Sequence, residues 1–226
     1  MAVLLAASRL EKEPEMGRLN DDDLARKLLW GGEQSDGNAE KILRGCALFD
    51  KFGLEDEARA EYKFIAERVV GVNVDDFYDC VRRFEQRGLI DRRGRYARVV
   101  PKPLAIRLAA EWWKATRPER QVDLIQADIP EALVISFCDQ VSRLDFLPEV
   151  KALVTELCGP QGPFGQAEVI LSEKGSRLFR AFVDVNPEAT SHALASVLNG
   201  ARFDLGFYGG RVYGLLASSF VLIVLL

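Results

Sequence analysis

Residues 72–100 read VNVDDFYDCVRRFEQRGLIDRRGRYARVV, and the fold is decided here. Val74, Phe77, Val81 and Phe84 recur at intervals of three and four, which puts them on one face of a helix. Asn73 or Asp75 can cap its start, and Asp75 and Asp76 suit the positive end of the helix dipole. Gly88 is the natural stop. The spacing then predicts strands over 89–92 and 95–99 around an Arg93-Gly94 turn, where glycine supplies the positive φ of a tight hairpin.

Upstream, 38–52 reads as a helix with Ile42, Cys46 and Phe49 on one stripe and Gly53 as its stop. A second helix over 55–70 carries Ala58, Tyr62, Ile65 and Val69, with Gly71 beyond. None of the three helices can bury its stripe alone, so they must pack together. Three helices and a β-hairpin over 37–102 match the plan of a winged helix-turn-helix domain. Before it, 1–36 holds a helix over 2–12 and another over 21–30, opened by Asn20 and ended by Gly31-Gly32.

After it, Pro101 and Pro103 close the hairpin, because proline cannot donate to a strand ladder and suits a first helical turn. A helix over 104–114 carries Leu104, Leu108, Ala109 and Trp112; Trp113 points away from that stripe and could cover the hairpin or a neighbouring domain, with core packing favoured over a ligand platform. Further helices are expected over 118–126, 130–144, 148–158, 166–172, 174–183 and 187–198, with 159–165 a loop. The predicted fold is therefore mainly α: a winged helix-turn-helix followed by an α-helical hairpin array over 103–200. Residues 201–226 form an apolar tail. Its uncharged run 212–226 is shorter than the roughly 20 residues a membrane span needs. Together with the capless apolar start at 2–12, it suggests a truncated or aberrant end; a tail anchor is the alternative.

The chain has 226 residues and a formal net charge of −4, which predicts no general attraction to nucleic acid. Cys46, Cys80, Cys138 and Cys158 are widely spaced in apolar helical contexts with no CxxC pair, so they read as reduced thiols of a cytoplasmic protein. His192 is the single histidine, with no cysteine or carboxylate cluster beside it. No GxxxxGK[ST] loop occurs, and Asp21-Asp22-Asp23 is explained by the helix dipole. The residues imply no enzyme, no cofactor, and no catalytic or metal-binding residue.

The candidate interaction surface is Arg82, Arg83, Arg87, Arg92, Arg93 and Arg95, with Trp113. Arginines could neutralise phosphates, but seven of them over 72–100 stand against five acids. A recognition helix presents its N-terminal residues to the bases, and here those are Asp75, Asp76 and Asp79. The arginines are expected to pair with acids on an adjoining domain or to stay solvated. The expected partner is protein, either a missing ATPase domain or another copy of the chain. A DNA-binding regulator is the alternative, and a membrane partner follows only from the tail-anchor reading.

Three motifs add to this: Ala47-Leu48-Phe49-Asp50-Lys51-Phe52-Gly53, Arg87-Gly88-Leu89-Ile90, and Pro103-Leu104-Ala105 running on to Trp112. The region they span resembles the winged-helix region after the ATPase core of large bacterial STAND-type P-loop NTPases. Residues 2–30 look similar to the helices before that module, and those after Pro118 resemble the start of the family's helical sensor array. The resemblance implies a winged helix that relays nucleotide state, an array that senses a ligand or partner, and in several relatives a role in anti-phage defence. The Walker motifs and any effector domain are missing here, so no ATPase activity and no site residue is carried over.

Overall fold

The computed structural model describes residues 21–30 and 36–201; the expected helix over 2–12 and the apolar tail lie outside the described residues. Compactness divides the chain after Gln140 into two units. The fold is mainly helical with one small three-stranded sheet.

The first unit opens with α1 (Asp21–Trp30) and α2 (Gly37–Ala47). Asp36 caps α2, its carboxylate accepting from the amides of Asn38 (3.0 Å) and Ala39 (3.2 Å). The helix expected to reach residue 52 ends five residues earlier. Leu48 and Phe49 close it with amide bonds to the carbonyls of Gly45 and Cys46. The chain then meets Ser136: the Asp50 amide donates to its carbonyl (3.0 Å) and the Lys51 amide to its hydroxyl (2.7 Å).

Phe52–Gly53 is a strand, β1. Gly53 is thus no helix stop. A Cβ there would lie 2.1 Å from the Cβ of Ala58, so the glycine is what lets two backbones touch.

A 3-10 turn (Asp56–Ala58) leads into α3 (Arg59–Phe64), which widens into π-helical turns over Ile65–Val70 and ends at Gly71. α4 (Val74–Gln86) has Asn73 as its cap, accepting from the Asp75 amide at 2.7 Å. Phe77, Cys80, Val81 and Phe84 are buried, while Val74 is half-buried.

Gly88 follows at φ +70° with open space around it, so conformation rather than room selects glycine. β2 (Ile90–Arg93) and β3 (Tyr96–Val99) pair antiparallel from Ile90↔Val99 to Arg93↔Tyr96. The two turn residues are Gly94, at φ +61°, and Arg95, one position later than expected. Positive φ at the first of the two matches a type II′ hairpin turn. β1 joins the other edge of β3 through Phe52↔Ala97 and Gly53↔Tyr96, giving the order β1-β3-β2.

Leu104, Leu108, Ala109 and Trp112 are buried on α5 (Lys102–Ala115), which packs on α2. The sequence assigns this helix to the array beyond 102, but it belongs to the first compact unit. α6 (Pro118–Gln126) is tied to it by Gln121, whose buried amide donates to the carbonyls of Trp113 (2.7 Å) and Thr116 (2.8 Å). α7 (Glu131–Val141) brings Phe137 to Phe49 and Trp113, with ring centroids 5.9 and 6.3 Å away.

The second unit contains a 3-10 turn (Ser142–Leu144), α8 (Pro148–Leu157), α9 (Ala167–Leu171), α10 (Glu173–Val185) and α11 (Pro187–Ala201). The segment 159–165, expected as a plain loop, inserts Phe164 into the core at 5.8 Å from Phe179 and 5.5 Å from Phe182. Ser172 caps α10 and Asn186 caps α11, and the Asn186 amide also donates to Thr155 on α8 at 2.9 Å. Among the described residues no helix is long and apolar enough to cross a membrane.

Candidate functional site

Of the arginines singled out on sequence, those on the hairpin are already engaged. Arg92 folds back onto Glu55, which precedes α3, and its Nε donates to the Gly94 carbonyl at 3.2 Å. The bond from Glu55 pushes the Arg92 guanidinium further up from its ordinary value.

Arg93 and Arg98 share one acceptor. Arg93 Nε lies 3.2 Å from Asp91 Oδ2 and Arg98 Nη2 lies 2.9 Å from it. The Arg98 hydrogen bond, with the Arg93 charge adding to it, holds the Asp91 carboxyl below its ordinary value.

Arg95 Nη1 reaches Glu57 Oε2 at 3.5 Å, and its guanidinium stands 5.3 Å from the Tyr96 ring centre. Every acid in these pairs belongs to the same unit, on or beside the sheet. The pairs expected with an adjoining domain are thus found locally.

Arg82, Arg83 and Arg87 lie apart from that network on the far end of α4 and its cap. Arg87 stacks on Trp30 of α1 at 5.8 Å. Arg83 hydrogen-bonds the Cys80 thiol, whose pKa burial nonetheless raises. Arg82 and Arg83 are exposed, and so are Asp75, Asp76 and Asp79 one and two turns earlier. None of these five residues takes part in an ion pair among the described residues. An open groove runs between α4 and the start of α2, and Asp36, Asp76, Asp79, Arg82 and Arg83 line it with both signs of charge.

Trp113 does not face outward. It is 1% exposed, packed edge-on to Trp112 at 5.1 Å and against Phe137. It packs against α7 rather than the hairpin or a neighbouring domain, a contact the sequence does not announce because residues 116–130 separate α5 from α7.

One residue escaped the sequence reading. Glu61 on α3 is 5% exposed, and its carboxylate accepts the Gly53 amide at 2.8 Å. β1 is an edge strand, and this bond satisfies an amide that β3 does not reach. Burial raises the Glu61 pKa, and the Gly53 amide and the charges of Lys51 and Arg95 oppose that rise. The signal was present: Glu61 falls three residues from Ala58 and four from Ile65, on the apolar stripe itself.

Elsewhere the side chains offer little chemistry. Cys46, Cys80 and Cys158 are buried thiols with raised pKa, Cys158 to about 11 from desolvation, so thiolate is scarce at each. His192 is exposed on α11. Among the described residues no group of three His, Cys, Asp or Glu side chains is placed to hold a metal ion. Neither the models of protein families, nor the curated proteins, nor the solved structures contain a match to this chain.

Proposed function

We propose that residues 37–102 are a winged-helix module that faces protein, and that the chain is a non-catalytic regulatory part of a STAND-type signalling ATPase. In this reading it couples nucleotide state to a helical sensing surface, in the setting of phage defence that the resemblance implies. The order of helix, strand, two helices and hairpin, with β1 laid against β3, supports a winged helix.

The observation that carries the choice of protein over nucleic acid is the state of the charges. Asp75, Asp76 and Asp79 are exposed on the half of α4 that would enter a groove of DNA, where carboxylates meet phosphate. The hairpin arginines that would hold the backbone are already bonded to Glu55, Glu57 and Asp91.

Fluorescence anisotropy of a labelled random duplex titrated with the full chain tests this. Binding weaker than about 10 µM at roughly 100 mM salt, the range of non-specific contact, is expected. Submicromolar binding that falls steeply with salt and is lost in Arg92→Glu and Arg95→Glu would establish the DNA-binding regulator instead. For the ATPase assignment, the flanking coding DNA decides: an in-frame P-loop sequence upstream supports it, and unrelated neighbours remove it.

A further inference from the structure

The exposed side of α4 has an order that its composition hides. At about 100° per residue, Asp75, Asp76, Asp79, Arg82, Arg83 and Gln86 fall within one stripe about 120° wide, opposite buried Phe77, Cys80, Val81 and Phe84. Along that stripe the signs are segregated, with three carboxylates in the first half and two guanidinium groups in the second. At about 1.5 Å per residue the two charge centres lie about 9 Å apart along the axis.

The hairpin, a few residues on, shows what these side chains do when acids are within reach: they pair. Here Asp79 and Arg82 or Arg83 stand at helical spacings that permit pairing, yet no ion pair forms among the described residues. Apart from the hydrogen bond of Arg83 to the Cys80 thiol, the stripe is a strongly charged surface whose charges are not paired with one another.

We propose that this stripe docks on the same stripe of a second copy of the chain, with the two α4 helices antiparallel about a two-fold axis. A two-fold contact requires a surface complementary to itself. A stripe that is acid at one end and basic at the other meets that condition only when reversed. In that arrangement Asp75, Asp76 and Asp79 of each copy face Arg82 and Arg83 of the other. A parallel arrangement would oppose like charges.

The groove beside the stripe widens the contact, and Asp36 at its rim adds a further acceptor for an incoming guanidinium. The contact is polar and small, so it is weak, salt-sensitive and favoured by electrostatic steering. This goes beyond the coupling function and stands without it, because the charge order of α4 and the groove beside it carry the contact.

Sedimentation velocity of the full chain, with two charge-reversed variants, tests it. Asp76→Lys with Asp79→Lys makes the stripe basic except at Asp75; Arg82→Glu with Arg83→Glu makes it acidic throughout. Wild type should form a dimer at roughly 50 mM salt whose dissociation constant rises at least about tenfold by roughly 500 mM. Each variant alone should lose that dimer, and an equimolar mixture should restore it as a one-to-one complex, since the reversed stripes complement each other end to end. A neutral pair, Asp76→Asn with Asp79→Asn and Arg82→Gln with Arg83→Gln, repeats the loss without repulsion and guards against misfolding, checked by circular dichroism. A wild-type monomer at every salt concentration would overturn the proposal. So would self-association indifferent to the four residues, or a mixture that fails to pair while both variants remain folded.

Discussion

The hairpin and the exposed face of α4 hold similar side chains and use them in opposite ways. On the hairpin, Arg92 and Arg95 are tied to Glu55 and Glu57, fastening the sheet to the turn before α3, while Arg93 and Arg98 share Asp91 within the hairpin. On α4, Asp75, Asp76, Asp79, Arg82 and Arg83 are exposed and form no ion pair among the described residues. A count of arginines along 72–100 cannot separate the two regions. What separates them is whether the opposite charges actually meet: in the hairpin, β-pairing sets Asp91 directly across from Arg98, whereas Asp79 and Arg82 or Arg83, though at helical spacing, do not pair.

If the sheet is where charge serves stability, disturbing its anchors should cost much more than disturbing the stripe. The largest loss is expected for Gly53→Val. Its Cβ would fall on Ala58, so β1 must leave the sheet or α3 must move, and urea unfolding should show about 4 kcal/mol or more lost.

Glu61→Leu comes next. It strands the Gly53 amide in the interior, for a loss of about 1–3 kcal/mol. Glu61→Gln keeps an acceptor and separates bonding from charge. A carboxyl whose folded pKa is raised favours folding fully below its unfolded value, near pH 4.5, and that contribution disappears as pH rises through the folded value. The Gln variant should therefore gain relative to wild type as pH rises from about 4.5 to 7.

Asp91→Asn should weaken the hairpin by less than Glu61→Leu does. Because the folded Asp91 pKa is depressed, its contribution is present above its unfolded value of 3.8 and is lost as pH falls below that. Wild type and variant should converge in acid. At the bottom of the scale, Asp76→Asn or Arg82→Gln should change unfolding free energy by no more than about 0.5 kcal/mol. A large loss at either position would erase the distinction between the two regions.

Much of the helical text was legible because apolar spacing is a local property. The ends of α1, α6 and α8 fall within a residue of where the sequence puts them, and Gly88 stops α4 for the reason its position suggests. What could not be read depends on contacts between distant parts of the chain. β1 looks like the last turn of a helix until β3 is placed beside it, and Gly53 looks like a stop until Ala58 approaches. The candidate site was legible as a set of arginines and illegible as an arrangement. Glu55 and Glu57, which neutralise Arg92 and Arg95, stand about forty residues away in sequence. Core packing of Trp113 was legible, but its partner was not, because nothing near it in sequence announces Phe137.

The grip of Ser136 on the corner at residues 50–51 has a practical consequence for anyone trimming the chain. A fragment stopped after the hairpin, at residue 102, would discard α5 and with it the surface on which α2 rests. One stopped at 115 would still strip Phe137 from Phe49 and Trp113, leaving two aromatic rings bare to solvent. The shortest piece worth purifying runs on through Gln140, whose side-chain carbonyl accepts from Lys102 at 2.8 Å and so clasps the start of α5.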